Sequence, residues 1–192
     1  QTGTSYAFPP ITMGAHVSVT PNHQVGRVTP MQTRAFCAMM GCFGYEMDIT
    51  RMSDAEKQQV KEHIALYKRL RPTIQLGTYT RLLSPFEGTK NETAWMFTSE
   101  DEKEVALFYF KALSEPCTPI RRLHLAGLDP DAQYKVAEYY PAQSLSHDPD
   151  STGAETLVGK TFYGDELMQE GINIDKINSD FTGYLWVLEK VG

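Results

Sequence analysis

"MGAHVSVTPNHQVGR", residues 13–27, passes from a short apolar run into a polar loop. An apolar run of this length that ends at a proline reads as a buried strand. The loop behind it carries Asn22, His23, Gln24 and Arg27, which is how a strand delivers polar groups to the rim of a sheet. A helix is predicted next: Thr29 suits the N-cap, Pro30 the first helical position, Met31, Ala35 and Ala38 share a face, and Gly41 stands where a C-terminal cap belongs. "CFGYEMDI", residues 42–49, reads as a second strand. Ser53 and Glu56 then form a capping box, and Val60, Ile64 and Tyr67 repeat at i, i+4, i+7 until Pro72 stops the pattern. Strand, helix, strand, helix implies parallel pairing.

Two parallel strands do not stand alone, because their open edges and apolar faces require further strands and helices. Either another chain completes the sheet or an N-terminal portion of the protein is missing, and a (β/α)8 barrel, typically of about 250 residues, would supply what is needed. The expected fold class is therefore α/β plus all-β: residues 1–72 form the final two β/α units of a TIM (β/α)8 barrel, and residues 73–192 form a C-terminal antiparallel β-sandwich. After Pro72 the periodicity shortens to two. Strands are predicted at residues 74–83, 93–99, 104–113, 120–126, 134–138, 156–163 and 184–188, separated by turn signals such as "SEDEK" and "GLDPDA". Residues 141–153, rich in Ser, Asp and Pro, are expected to form a long exposed loop. The chain opens at Gln1, without an initiator Met, and is expected to be a fragment.

Composition narrows the function classes. Of the 192 residues, 41% are hydrophobic and 22% charged, as in a folded globular chain. The net charge of −6 disfavours a surface that tracks nucleic-acid phosphates, and the basic spots at residues 68–71 and 121–122 read as solvated faces. No run approaches the ~18 apolar residues of a membrane span. Three cysteines, Cys37, Cys42 and Cys117, form no C-x-x-C pair, so neither a disulfide framework nor a zinc site is indicated and a reducing, cytoplasmic compartment is expected. No metal site is expected among the scattered histidines.

On a barrel, chemistry sits at the C-terminal ends of the strands. The rim candidates are therefore Ser18, Asn22, His23, Gln24 and Arg27 after the first strand, and Glu46 and Asp48 at the end of the second. Glycosidic cleavage wants two carboxyls facing each other across the substrate, about 5 to 9 Å apart. Glu46 and Asp48, two apart on one strand, would point the same way, so they are read as bracing the barrel wall or loop. Ser18 lacks a G-x-S-x-G elbow and is not read as a nucleophile. His16 reads as a satisfied core imidazole and Cys37 as a buried small hydrophobe. Trp95, Tyr109, Tyr134 and Trp186 could form a sugar-stacking platform if exposed, but aromatics on alternating strands are expected in the core. "YGDELMQEG", residues 163–171, reads as a register-setting turn.

Taken together, "GAHVSVTPNHQVGRVTPMQTRAFCAMMGCFGYEMD", "YKRLRPTIQLGTYTRLLSPFEG", "GLDPDAQYKV" and "GDELMQEG" resemble the carboxyl-terminal part of bacterial α-galactosidases of glycoside hydrolase family 36 over nearly the whole chain. The specific core of the likeness is H-V-S-x-x-P-N-H-Q-x-x-R (His16 to Arg27) followed by F-G-Y-E-x-D (Phe43 to Asp48). The resemblance implies a barrel followed by a small antiparallel β-domain and a retaining mechanism with two aspartates. It places the nucleophile in a K-W-D-x-N context and the acid/base aspartate upstream, and neither motif occurs here, so no catalytic residue is carried over. "QTGTSYAFPP" looks like the end of the helix that follows the acid/base strand. The parent enzyme would act on α-galactoside oligosaccharides of the melibiose and raffinose type, without metal or organic cofactor, as a homo-oligomer with a tetramer among the options, while the fragment alone would be inactive. Two other readings stay open: residues 73–192 as a carbohydrate-binding or subunit-packing module, and a related α-N-acetylgalactosaminidase or galactosyltransferase on the same scaffold.

Overall fold

A computed structural model describes residues 1–116, 121–141, 157–174 and 179–191. Cys117, nearly all of the 141–153 segment and the start of the strand expected at 156 lie outside the described residues. Strands β1 (Gly14–Ser18) and β2 (Cys42–Glu46) pair in parallel, Ala15 opposite Phe43 and Ser18 opposite Glu46. Strand alternation sends Ala15 and Val17 into the core and leaves Gly14 and His16 on the opposite, exposed face. His16 is thus not the core imidazole expected from its apolar neighbours. Its ring lies across Gly44, its partner on β2, where an added Cβ would stand 2.9 Å from His16 Cδ2.

The buried side of the pair is covered by α1 (Met31–Ala38) and α2 (Asp54–Leu76). The α1 N-cap is Pro30, one residue later than expected, and Met39, not Gly41, is its C-cap. Gly41 is required for another reason: a Cβ there would meet the Met13 carbonyl oxygen at 2.5 Å, where the chain returns over the start of β1. Cys37 is exposed, contrary to expectation, with its thiol donating to Gln1 Oε1 at 3.1 Å.

The Ser53–Glu56 capping box is formed: Ser53 Oγ accepts the Glu56 N–H at 3.2 Å and the Glu56 carboxylate accepts the Ser53 N–H at 2.8 Å. The helix does not stop at Pro72 but runs through it to Leu76. Pro72 faces solvent while Thr73 and Ile74 are buried, so packing of the last turn offsets the lost backbone hydrogen bond. The buried stripe is His63, Leu66, Tyr67, Leu70, Thr73 and Ile74, and Ile64 lies at its exposed flank.

The rest of the chain builds a six-stranded antiparallel sheet in the order β3 (Thr78–Leu83), β4 (Glu92–Thr98), β5 (Glu104–Lys111), β10 (Thr182–Val191), β7 (Gln133–Tyr140), β8 (Thr161–Tyr163). β6 (Arg121–Leu123) and β9 (Ile172–Ile174) form a separate two-stranded ribbon. All seven expected strands have a counterpart, and β9 is the addition. The sheet is buried on both faces. Trp95, Phe97, Phe108, Phe110, Leu185 and Val187 pack against α1, α2 and the β1–β2 pair. Met96, Leu107, Tyr109, Tyr184 and Trp186 pack against the ribbon and α3 (Gly164–Gln169). The second layer of the sandwich is therefore a ribbon plus a helix, and "GDELMQ" is that helix rather than a turn.

Residues Thr4–Tyr6 and Pro10–Thr12 are 3-10 turns, not the end of an α-helix. Arg81 of β3 pins the first of them, its guanidinium 4.1 Å above the Tyr6 ring and its Nε donating to Ser5 Oγ at 3.2 Å. Among the described residues no helix is long and apolar enough to cross a membrane.

Candidate active-site rim

Ser18 and Glu46 end their parallel strands side by side, so the polar loops that follow share one edge of the pair. The loop after β1 is organised by Asn22, whose Oδ1 accepts the N–H groups of Gln24 at 3.0 Å and Val25 at 3.2 Å. Its backbone closes the same turn, Asn22 N–H donating to the Arg27 carbonyl at 2.9 Å and Gly26 N–H to the Asn22 carbonyl at 2.8 Å. His23 and Gln24 are exposed on its tip. Arg27 leaves the loop with its guanidinium 5.0 Å over the ring of Phe181, so the rim touches the β-domain.

The base of the loop is held from α1. Arg34 Nε donates to the Thr29 carbonyl at 3.1 Å, and its Nη1 donates to the carbonyl of Ser18. One guanidinium therefore bridges both ends of the loop. Partial burial lowers the Arg34 pKa, against the opposing influence of Tyr45 and Glu56.

After β2, Asp48 caps a 3-10 turn at Ile49–Arg51 by accepting from Thr50 N–H at 3.0 Å and Thr50 Oγ1 at 2.6 Å. These hydrogen bonds hold its carboxyl below the usual aspartate range. Arg51 adds an ion pair at 3.3 Å. Asp48 is thus engaged in local structure, while Glu46 is exposed at the strand end. The structure gathers Ser18, Asn22, His23, Gln24, Arg27, Glu46 and Asp48 on the two loops at one edge.

Behind the rim lies a pair that sequence reasoning missed. Tyr45 Oη is 2.9 Å from His63 Nδ1. Burial pushes the Tyr45 phenol up to about 12 and the His63 imidazole down to about 4, so a protonated phenol and a neutral ring share this hydrogen bond. The signal was available, since His63 stands three and four residues before Leu66 and Tyr67 on the buried stripe. Arg34 had no such signal, because its partners are backbone carbonyls. Trp95, Tyr109, Tyr134 and Trp186 are core residues, none more than 2% exposed, so they offer no stacking platform to a sugar. Among the described residues no cluster of His, Cys, Asp or Glu could hold a metal ion.

Two helix-backed parallel strands with polar loops at one end, followed by an antiparallel β-domain, define a chain of β/α units joined to a β-domain. Comparison with known proteins gives the family. Residues 1–77 match the Melibiase family model, and residues 92–188 match the glycosyl hydrolase family 36 C-terminal domain. The chain belongs to glycoside hydrolase family 36. It is 44% identical over 191 residues to the α-galactosidase AgaA of Geobacillus stearothermophilus, covering 100% of this chain and 23% of that protein. It is 35% identical over 186 residues to an α-galactosidase of Lactobacillus acidophilus, covering 97% of this chain and 22% of that one. The crystal structure of the Geobacillus enzyme superposes with a TM-score of 0.84 at 44% identity, over 98% of this chain and 23% of that chain. A variant of that enzyme has been crystallised with raffinose, and its structure matches with a TM-score of 0.83 at 43% identity, again over 98% and 23% of the two chains. The chain thus spans about a quarter of the length of the curated relatives it matches.

Proposed function

We propose that this chain supplies the last two β/α units of the catalytic barrel and the C-terminal β-domain of a retaining α-galactosidase that releases terminal α-galactosyl groups from raffinose-type oligosaccharides. The observation that carries this is the β1–β2 pair, helix-covered on one face and bare on the other. A wall of this kind needs neighbouring strands on both edges. The likeness to α-galactosidases along the whole chain supports both the ring that completes it and the substrate class. The change of period places the division between the two parts near residues 72–73, inside the last turn of α2, and the first part keeps that helix to its end at Leu76. Cysteine usage favours the cytoplasm.

Hydrolysis with retention uses one carboxylate to attack the anomeric carbon and a second to protonate the leaving oxygen and then deprotonate water. Neither is assigned to this chain. Ser18, Asn22, His23, Gln24, Arg27, Glu46 and Asp48 shape and brace the mouth of the site. The test is a chimaera in which this chain replaces the corresponding C-terminal quarter of the Geobacillus enzyme. We expect the chimaera to hydrolyse nitrophenyl α-galactoside and raffinose, and the 192-residue chain alone to release no nitrophenol. Turnover by the chain alone, abolished by a His23 or Asp48 substitution, would show that the catalytic groups lie in these residues after all.

A further inference from the structure

The loop that joins β1 to α1 is long. A connection from strand to helix usually takes about 2–6 residues, and residues 19–30 are about twice that. Its valines do not hold it by burial within this chain: Val19, Val25 and Val28 are 52%, 64% and 46% exposed. The ties are polar. Asn22 closes the tip on itself through the Gln24 and Val25 N–H groups, and Arg27 lies over the Phe181 ring on the far flank. The first tie shapes the tip and the second touches one side of it, so the loop can still turn about the line that joins its two hinges.

Arg34 acts at both hinges. It stands in the first turn of α1, next to Ala35 and Phe36 at 0% and 1% exposure, so its place is set by the core of the strand pair. Its Nε donates to the Thr29 carbonyl at 3.1 Å, just before the helix, and its Nη1 donates to the carbonyl of Ser18, where the strand ends. A planar guanidinium presents these donors in a fixed fork, so one side chain sets the direction of both carbonyls, which an ammonium cannot do.

The tip held in this way carries His23 and Gln24, both exposed, whose ring nitrogens and amide donate and accept hydrogen bonds. It stands past the C-terminal end of β1, the end at which a barrel takes its substrate. An enzyme that removes a terminal galactosyl group takes that group in first, so the sugars beyond the scissile bond lie at the mouth, level with the loops. A misplacement of about 1 Å in a group that positions substrate can cost about a hundredfold in rate.

We propose that Arg34 is a positioning residue for the leaving side of the substrate: it fixes the 19–30 loop so that His23 and Gln24 hydrogen-bond the hydroxyls of the sugars beyond the scissile bond. This rests on the α-galactosidase reading above. Arg34 acts through the loop and touches no substrate.

The test uses the chimaera and compares kcat/KM on raffinose, which carries sugars beyond the scissile bond, with kcat/KM on nitrophenyl α-galactoside, which carries none. The raffinose-to-nitrophenyl ratio is expected to fall about tenfold in the His23→Ala/Gln24→Ala double variant, and by a similar factor in Arg34→Met. Arg34→Lys keeps the charge and the helix propensity, so it should fold whatever Arg34→Met does. It is expected to show the same fall, because one ammonium does not hold both carbonyls. An unchanged ratio in the double variant, or a ratio fully kept by Arg34→Lys, overturns the proposal, as does a loss in both Arg34 variants that is equal on the two substrates. A parent chimaera inactive on both substrates would sink the activity itself, and this inference with it.

Discussion

His63 and His16 show what a single residue's neighbours reveal. Both sit among apolar residues, yet His63 is buried at 7% exposure while His16 lies on the open face of the strand pair. The difference was legible in periodicity: Met13, Ala15 and Val17 alternate with His16, whereas His63 falls on the helical stripe. For His63 a pH dependence follows. Its folded pKa of about 4 lies below the ordinary 6.5, chiefly through burial. The unfolded chain therefore binds the proton more readily, and stability present above pH 6.5 is lost as the pH falls from there toward 4. The upper bound is about 3 kcal/mol, reduced by whatever the native state does to admit water. Urea titrations of the 192-residue chain at pH 7 and pH 5 should show this loss, and His63→Gln should flatten it. An unaltered pH slope in the variant would assign the effect to other groups.

At the scale of elements, local chemistry decided some boundaries and tertiary packing the rest. The Ser53–Glu56 box was readable because capping is a matter of four consecutive residues. Ser53→Ala should cost about 1 kcal/mol, measured as a lower urea midpoint at unchanged slope. Pro72 misled for the opposite reason: its local preference ends helices, but Ile74 beyond it is buried to 1% and holds the last turn in place. The true stop is Gly77, and its need is steric. With φ at −74° it has an ordinary backbone conformation, but an added Cβ would fall on the carbonyl oxygens of Thr98 and Thr73 where the helix turns into β3. Gly77→Ala should therefore destabilise by about 1–3 kcal/mol through forced separation of α2 from β4. A variant as stable as the parent would mean that the junction yields. α3 and β9 were not legible, since Gly164 and Gly171 bracket the six-residue helix and make the stretch read as a turn, with β9 following directly behind it.

For the whole molecule, the strands were easier to find than their layering. β4, β5 and β10 are continuous apolar runs, and a run of that kind shows that both faces are covered without saying by what. One cover is α3 with the β6–β9 ribbon, but the other is α1 and α2, which belong to the β/α units. The strand-end positions of the rim candidates were legible because they follow from topology, while the ties behind them, Arg34 to two backbone carbonyls and Arg27 to the distant Phe181, leave no pattern in the sequence. The shared core makes the two parts interdependent. A chain of residues 78–192 would expose Trp95, Phe97, Phe108, Phe110, Leu185 and Val187 together. Each large side chain returned to water costs about 1.5–3 kcal/mol, so the set rivals the whole stability of a typical domain, about 5–15 kcal/mol. That segment is expected to aggregate or to bind a hydrophobic dye strongly, whereas the 192-residue chain keeps this face covered. Light scattering and dye fluorescence on the two chains decide it. A monomeric, dye-silent 78–192 segment with a cooperative melt would mean that the sheet closes its own core, and that α1 and α2 merely rest on it.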